Sequence, residues 1–274
     1  MIELLQFEFI RNAIIAGILA SIACGIIGPY VVVKRWVFIS GGISHAAFGG
    51  IGLGYLLGIN PVWGAVIFAL ASALGIGILS KGTSLREDTV IGIFWALGMS
   101  AGVIFIALAP GYAPDLFSYL FGNILTVPLS DIVLMAFLCL IIILVVSFLY
   151  KEFLAFSFDE EFAVVVGVPV KLLYILLLSL IALTVVILIR IVGIILVMIL
   201  LTVPAAIGSQ FTFNFKKIML FSIILGIIFT FAGLWLSVVL NLASGATITL
   251  VAGIGFFISL LIKHLPFGTP IKKI

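Results

Sequence analysis

The stretch KRWVFISGGISHAAFGGIGLGYLLG, from Lys34 to Gly58, decides how the chain is to be read. It opens with two cations and an aromatic, then runs on as a glycine-dense apolar helix candidate carrying His45. Gly42, Ala46, Gly50, Gly54 and Gly58 recur every four residues. On a helix that spacing makes one continuous face of small residues. Such a face either packs backbone against backbone on another helix or borders an opening.

The surroundings of this stretch are equally apolar. Of 274 residues, 65% are hydrophobic and only 8% are charged, where soluble domains carry roughly a quarter charged residues. Too little polar surface exists to cover so much apolar side chain in water, so the composition predicts an all-α polytopic membrane protein embedded in the lipid bilayer. Apolar stretches lie near 12–33, 42–58, 61–80, 88–109, 129–150, 170–190, 191–210, 217–240 and 247–263, which predicts about nine transmembrane helices in one transmembrane domain spanning 1–274. The second stretch is short: it either spans with help from its flanks or starts from a loop dipping into the protein. The N-terminus lacks the cationic opening of a signal peptide, so the first stretch is expected to be a retained span.

The cations give orientation. With nine spans and the N-terminus outside, every Lys and Arg except Arg11 and Arg190 falls on the inner side, including Lys272 and Lys273 near the cytoplasmic C-terminus. This is a strong positive-inside bias. Between spans, the loop 110–128 carries three prolines and an apolar middle that predicts a short helix at the outer surface. Ser244–Thr249 reads as a short re-entrant turn before the last span. Glu3, Glu8, Asp115 and Asp131 fall on the outer side, either as docking charges or as solvated ends.

One segment is not membrane. SFDEEFAVVVGVP, residues 157–169, places Ser157 and Glu160 in a capping-box spacing. Asp159, Glu160 and Glu161 fall in the first turn, where the helix dipole favours negative charge, and Gly167 with Pro169 supplies the stop. Phe158, Phe162 and Val165 share one face of the resulting cytoplasmic helix. So short a helix is marginal alone, so that face docks either on the chain's own spans or in a groove of a partner subunit. Ser84 and Glu87 make a second capping-box spacing before the fourth span.

Several chemistries find no support. There is no G-x-x-x-x-G-K-[ST] and no Gly-Lys pair, so no phosphate-cradling loop of that type. No basic run is long enough for nucleic acid. Gly98-Met-Ser-Ala-Gly102 spells a nucleophile-elbow pattern, but inside an apolar span, where small-residue packing explains it. No catalytic constellation emerges, and the chain reads as a transporter component rather than an enzyme. Cys24 and Cys139 sit in apolar runs and read as packed thiols. His45 is the main ionisable residue within a span; such a group either serves the transport path or satisfies a neighbouring carbonyl. Pro204, late in the seventh stretch, frees a carbonyl and predicts a kink. One histidine within a span and few carboxylates cannot build several tight metal sites, which suits an ion held weakly and briefly.

Taken in order, 12–54, 86–103, DLFSYLFGNIL at 115–125, FDEEFAVVVGV at 158–168, RIVGIILVMILLTVPAAIG at 190–208 and SGATI at 244–248 resemble the permease subunits of ABC importers for zinc, manganese and iron(II). The resemblance implies a type II importer fold related to the vitamin B12 permease. It implies a homodimer or close permease pair, cytoplasmic ATP-binding subunits, an extracytoplasmic metal-binding protein, and a divalent metal ion as cargo with no permanently bound cofactor. Gly41, Ser44, His45, Gly50, Gly54 and Pro204 become candidates for the translocation path, with His45 the candidate metal ligand. Phe158, Asp159, Glu160, Glu161, Phe162, Ala163 and Gly167 match the family's ATPase-coupling segment. The family commonly has an aspartate four residues before the histidine, where this chain has Gly41. A permease for a metal chelate or cobalamin-like substrate is therefore a second reading, and an ion-coupled secondary transporter a third.

Overall fold

The computed structural model describes residues 7–110 and 116–264, so Glu3, Asp115, Lys272 and Lys273 lie outside the described residues. Among the described residues all regular structure is helical. The long helices are α1 (Glu8–Lys34), α2 (Val37–Leu57), α3 (Pro61–Gly82), α4 (Glu87–Leu108), α6 (Leu129–Phe148), α9 (Val170–Phe211), α10 (Phe215–Leu240) and α11 (Ser244–His264). Short α5 (Leu116–Phe121) lies within the proline-rich loop, followed by a single 3-10 turn at Ile124–Thr126; α7 (Tyr150–Phe158) and α8 (Glu160–Val165) connect α6 to α9.

Among the described residues eight helices are long and apolar enough to cross a membrane, and Val197–Phe211 adds a shorter apolar helix. The sixth and seventh apolar stretches are thus the two limbs of α9. The break between them is Gly193, whose φ of 76° and ψ of 167° are non-helical. Both ends of α9 lie at one end of the bundle: Tyr174 packs edge-on against Trp36 at 5.2 Å, and Phe215, just beyond α9, packs on Tyr30 at 4.7 Å. The chain therefore doubles back at Gly193. A side chain there would meet the backbone of Gly122 and Leu120, so both the positive φ and the close approach require glycine.

The same contacts sort the bundle into two ends. Lys34, Lys81 and Glu160 meet at a basic end. At the far end Asn60 donates to Asp131 at 3.4 Å, and the Ile124 amide donates to the Ser244 hydroxyl at 3.1 Å. Successive long helices alternate between these ends. The core runs through α1, α2 and α9, whose buried faces carry Ala20, Ile27, Ile43, Ile51, Ile181 and Leu201. Cys24 and Cys139 are free and buried within it.

Three local expectations change. Ser244 begins α11 directly, so SGATIT forms the first turn of a helix rather than a re-entrant turn. The cap of α4 is Arg86 in extended backbone, two residues past Ser84, so the Ser84–Glu87 box does not form. Pro204 sits inside helical backbone, and the departure from helical geometry in α9 is at Gly193 instead.

Candidate functional site

α2 meets its neighbours through the small face. A Cβ on Gly42 would run into the Ile91 side chain of α4 at 2.6 Å, and one on Gly54 into Pro61 of α3 at 2.6 Å. At Gly50 it would strike the Gly64 backbone, and a Cβ on Gly98 of α4 would strike Ala46. The face is therefore a packing face, clamped between α3 and α4. Lipid tails are as apolar as the helices, so close backbone approach and dispersion hold such pairs together. Gly50 and Gly54, expected along a path, lie against α3 backbone and offer no wall to an opening within this chain.

Gly41, Ser44 and His45 occupy another sector of α2 and converge with α4 and α9. The Ser44 hydroxyl reaches the Gly41 carbonyl at 2.8 Å and the Ile194 carbonyl, beside the Gly193 turn, at 3.3 Å. His45 Nδ1 lies 2.9 Å from the Gly41 carbonyl. A carbonyl only accepts, so Nδ1 carries the proton and Nε2 keeps its lone pair. The ring stacks on Trp95 of α4 at 3.8 Å with an 18° interplanar angle, and His45 is 7% exposed. The arrangement fixes the ring and leaves one imidazole nitrogen with its lone pair. Among the described residues no three His, Cys, Asp or Glu side chains converge on a metal-sized site.

The space beside Gly41 is filled. A Cβ there would come within 2.5 Å of the Met198 sulfur. Met198 beside Gly41 and Trp95 on His45 were invisible in the sequence, since nothing local links position 41 to 198 or position 45 to 95. Pro204 is buried in the second limb of α9, six residues beyond Met198.

At the basic end, the Asp159–Gly167 segment carries α8 between α7 and α9. Asp159 has extended backbone (φ −149°, ψ 98°) and its side chain accepts from the Phe162 amide at 2.8 Å. It is the N-cap. Ser157, expected in that role, lies inside α7 with helical neighbours and is buried, so it cannot cap α8. The helix stops as expected: Gly167 has φ 83°, the Val168 amide returns to the Ala163 carbonyl at 2.9 Å, and the Gly167 amide to Val164 at 3.1 Å, a Schellman pattern.

Phe158, Phe162 and Val165 are 61%, 57% and 83% exposed, and Glu161 is exposed beside them. Of the two docking alternatives, the apolar face turns away from the chain's own spans; among the described residues only Phe158 of this face keeps an internal ring contact, with Phe215 at 5.9 Å. Ala163 faces inward and is fully buried. Glu160 also faces inward, its Oε1 2.7 Å from Lys34 Nζ. The expectation that Glu160 completes a capping box is corrected: it opens the helix and reaches the end of α1.

Comparison with known proteins covers the whole architecture. The family model described as the ABC 3 transport family matches residues 6–263. An uncharacterized membrane protein of Synechocystis is 50% identical over 264 residues, covering 96% of this chain and 94% of that one. The manganese transport system membrane protein MntC of Listeria monocytogenes is 37% identical, covering 94% and 92%. The solved structure of PsaBC from Streptococcus pneumoniae in complex with Fab superposes with a TM-score of 0.85 at 32% identity, over 94% of this chain and 92% of that one. With its helices, their order and its length accounted for by these matches, the chain belongs to the ABC 3 transport family.

Proposed function

We propose that the chain is the transmembrane permease of an ABC importer that carries a divalent metal ion across the cytoplasmic membrane. ATP hydrolysis takes place in separate cytoplasmic subunits. The observation that carries this reading is the exposed apolar face of α8, rigidly capped at both ends and set at the basic end of an otherwise lipid-matched bundle. Cations concentrate on the cytoplasmic side, so α8 lies where an ATP-binding subunit is reached, with the N-terminus outside and the C-terminus inside. Relatives named for manganese transport support manganese as the first ion to test among manganese, zinc and iron(II).

Within this reading His45 offers its Nε2 to the passing ion, with Ser44 and the Gly41 carbonyl fixing the ring. Met198 stands where a side chain at Gly41 would project, and a thioether is a softer neighbour than a carboxylate. α4, the least buried of the spans, lies between His45 and the outside of the protomer, and its open face suits a second copy, with the passage between the two. An extracytoplasmic binding protein delivers the ion at the far end.

The test is uptake by the full complex in proteoliposomes, with manganese, zinc and iron(II) offered both as free ions and as chelates. ATP-dependent accumulation of at least one free ion is expected. Accumulation of chelates alone would transfer the protein to the metal-chelate reading.

A further inference from the structure

The inward side of α8 carries a feature that docking does not use. Glu160 extends back into a cleft of about 290 Å³ lined by Lys34, Trp36, Ser80, Lys81, Glu87 and Tyr174. Its Oε1 lies 2.7 Å from Lys34 Nζ and its Oε2 4.0 Å from Lys81 Nζ. Both ammonium groups also sit over rings: Lys34 is 3.9 Å from the Phe156 ring centre and 5.6 Å from Trp36, and Lys81 is 4.0 Å from Tyr174. Lys34 is only 11% exposed, so its pair with Glu160 is less screened than an ordinary surface ion pair.

The position of the two lysines matters more than the strength of either contact. Lys34 is the last residue of α1 and Lys81 lies in the last turn of α3. These are the two helices on either side of α2 in the chain. Arg35, next to Lys34, holds the left-handed conformation (φ 59°), and the Trp36 amide closes the turn onto Val31 at 2.9 Å. One carboxylate thus ties α8 to the ends of both helices that lead into and out of α2. No other side chain of α8 reaches the spans through an ion pair among the described residues.

We propose that Glu160 is the positioning residue through which movement of α8 is transmitted to α2 and its Gly41–Ser44–His45 sector. α8 moves with whatever holds its outer face. Glu160 drags Lys34 and Lys81 with it, and the α1–α2 turn is the point at which that pull reaches the His45 helix. Glu87, the other carboxylate facing the cluster, supplies the competing negative charge when Glu160 withdraws. This rests on the reading of α8 as the segment held by the ATP-binding subunit.

The experiment uses the full complex with its ATP-binding subunits and external binding protein in proteoliposomes. It measures co-purification of the subunits and metal imported per ATP hydrolysed. Glu160→Gln, which keeps the shape and removes the charge, is expected to assemble and hydrolyse ATP while metal imported per ATP falls at least tenfold. The exchanged pair Lys34→Glu with Glu160→Lys is expected to recover at least a third of that ratio. An unchanged ratio in Glu160→Gln overturns the proposal, as does failure of the exchanged pair to recover any of it. Loss of co-purification in Glu160→Gln overturns it too, since Glu160 would then belong to the docking face. Phe162→Asp separates the two levels: if it leaves co-purification intact, the docking reading itself fails, whatever Glu160→Gln does.

Discussion

α2 and α8 invert the usual relation between residue type and burial. α2 buries glycines: Gly42, Gly50 and Gly54 lie against α3 and α4 with no room for a Cβ. α8 exposes large apolar groups, with Val165 at 83%. In lipid there is no hydrophobic gain in pressing one apolar helix on another, so close packing needs small residues. At a water-facing end the rule reverses, and a six-residue helix leaves an exposed Phe and Val that the chain's own spans do not cover. The permease thus has one region whose contacts are complete within the chain and one whose contacts are not.

That contrast can be broken at either region. The largest effect is expected at α2. Gly50→Leu places a side chain into the Gly64 backbone, where no rotamer relieves the clash, and costs about 3 kcal/mol or more. Monodisperse protein after detergent extraction should be lost; normal yield would mean that α2 and α3 are not packed as described. At α8 the paired change Phe162→Asp and Val165→Asp should leave the isolated permease stable. It should weaken retention of the ATP-binding subunit at least tenfold, about 1.4 kcal/mol. Equal loss of permease stability would show that the face serves the chain's own fold.

His45→Ala sharpens the contrast from within α2, since His45 is the residue there whose polar edge is not consumed by packing. Transport is expected to fall about tenfold, the low end for losing a metal-directed contact, with assembly unchanged; unaltered transport would make His45 a structural partner of Trp95. The smallest effect is expected from Asp159→Ala, which removes the amide cap on Phe162 and costs about 1 kcal/mol of α8 helicity. Subunit retention measured by titration should drop only a few-fold. A loss as large as that of the Phe162/Val165 pair would mean Asp159 contacts the partner itself.

The nine apolar stretches, the Gly167 stop and the shared face of Phe158, Phe162 and Val165 were legible because each is a local pattern of hydropathy or of helix punctuation, while the direction of that face was left open. The break within α9 was legible as the boundary between the 170–190 and 191–210 stretches; its seat at Gly193 was not, because Gly193 looks like any glycine in RIVGII until Gly122 is known to lie against it. The choice between packing and opening for the α2 face was equally closed to sequence, since the answer depends on Gly64 and Gly98 of other helices. Ser157 misled because capping-box spacing is blind to the helix already running through it, while Asp159 two residues later had both the extended backbone and the carboxylate. Glu160 illustrates the same limit: its spacing suggested a cap, and its partner Lys34 lies 126 residues away. The glycines of the central stretch organise the bundle by contact with α3 and α4.

The most direct test of the account is ATP-dependent uptake of radiolabelled manganese by the reconstituted complex, compared between the natural permease and the Phe162→Asp/Val165→Asp permease. Uptake by the first and background by the second is predicted. Undiminished uptake through the altered α8 face, or no uptake of free manganese, zinc or iron(II) by the natural complex, would contradict it.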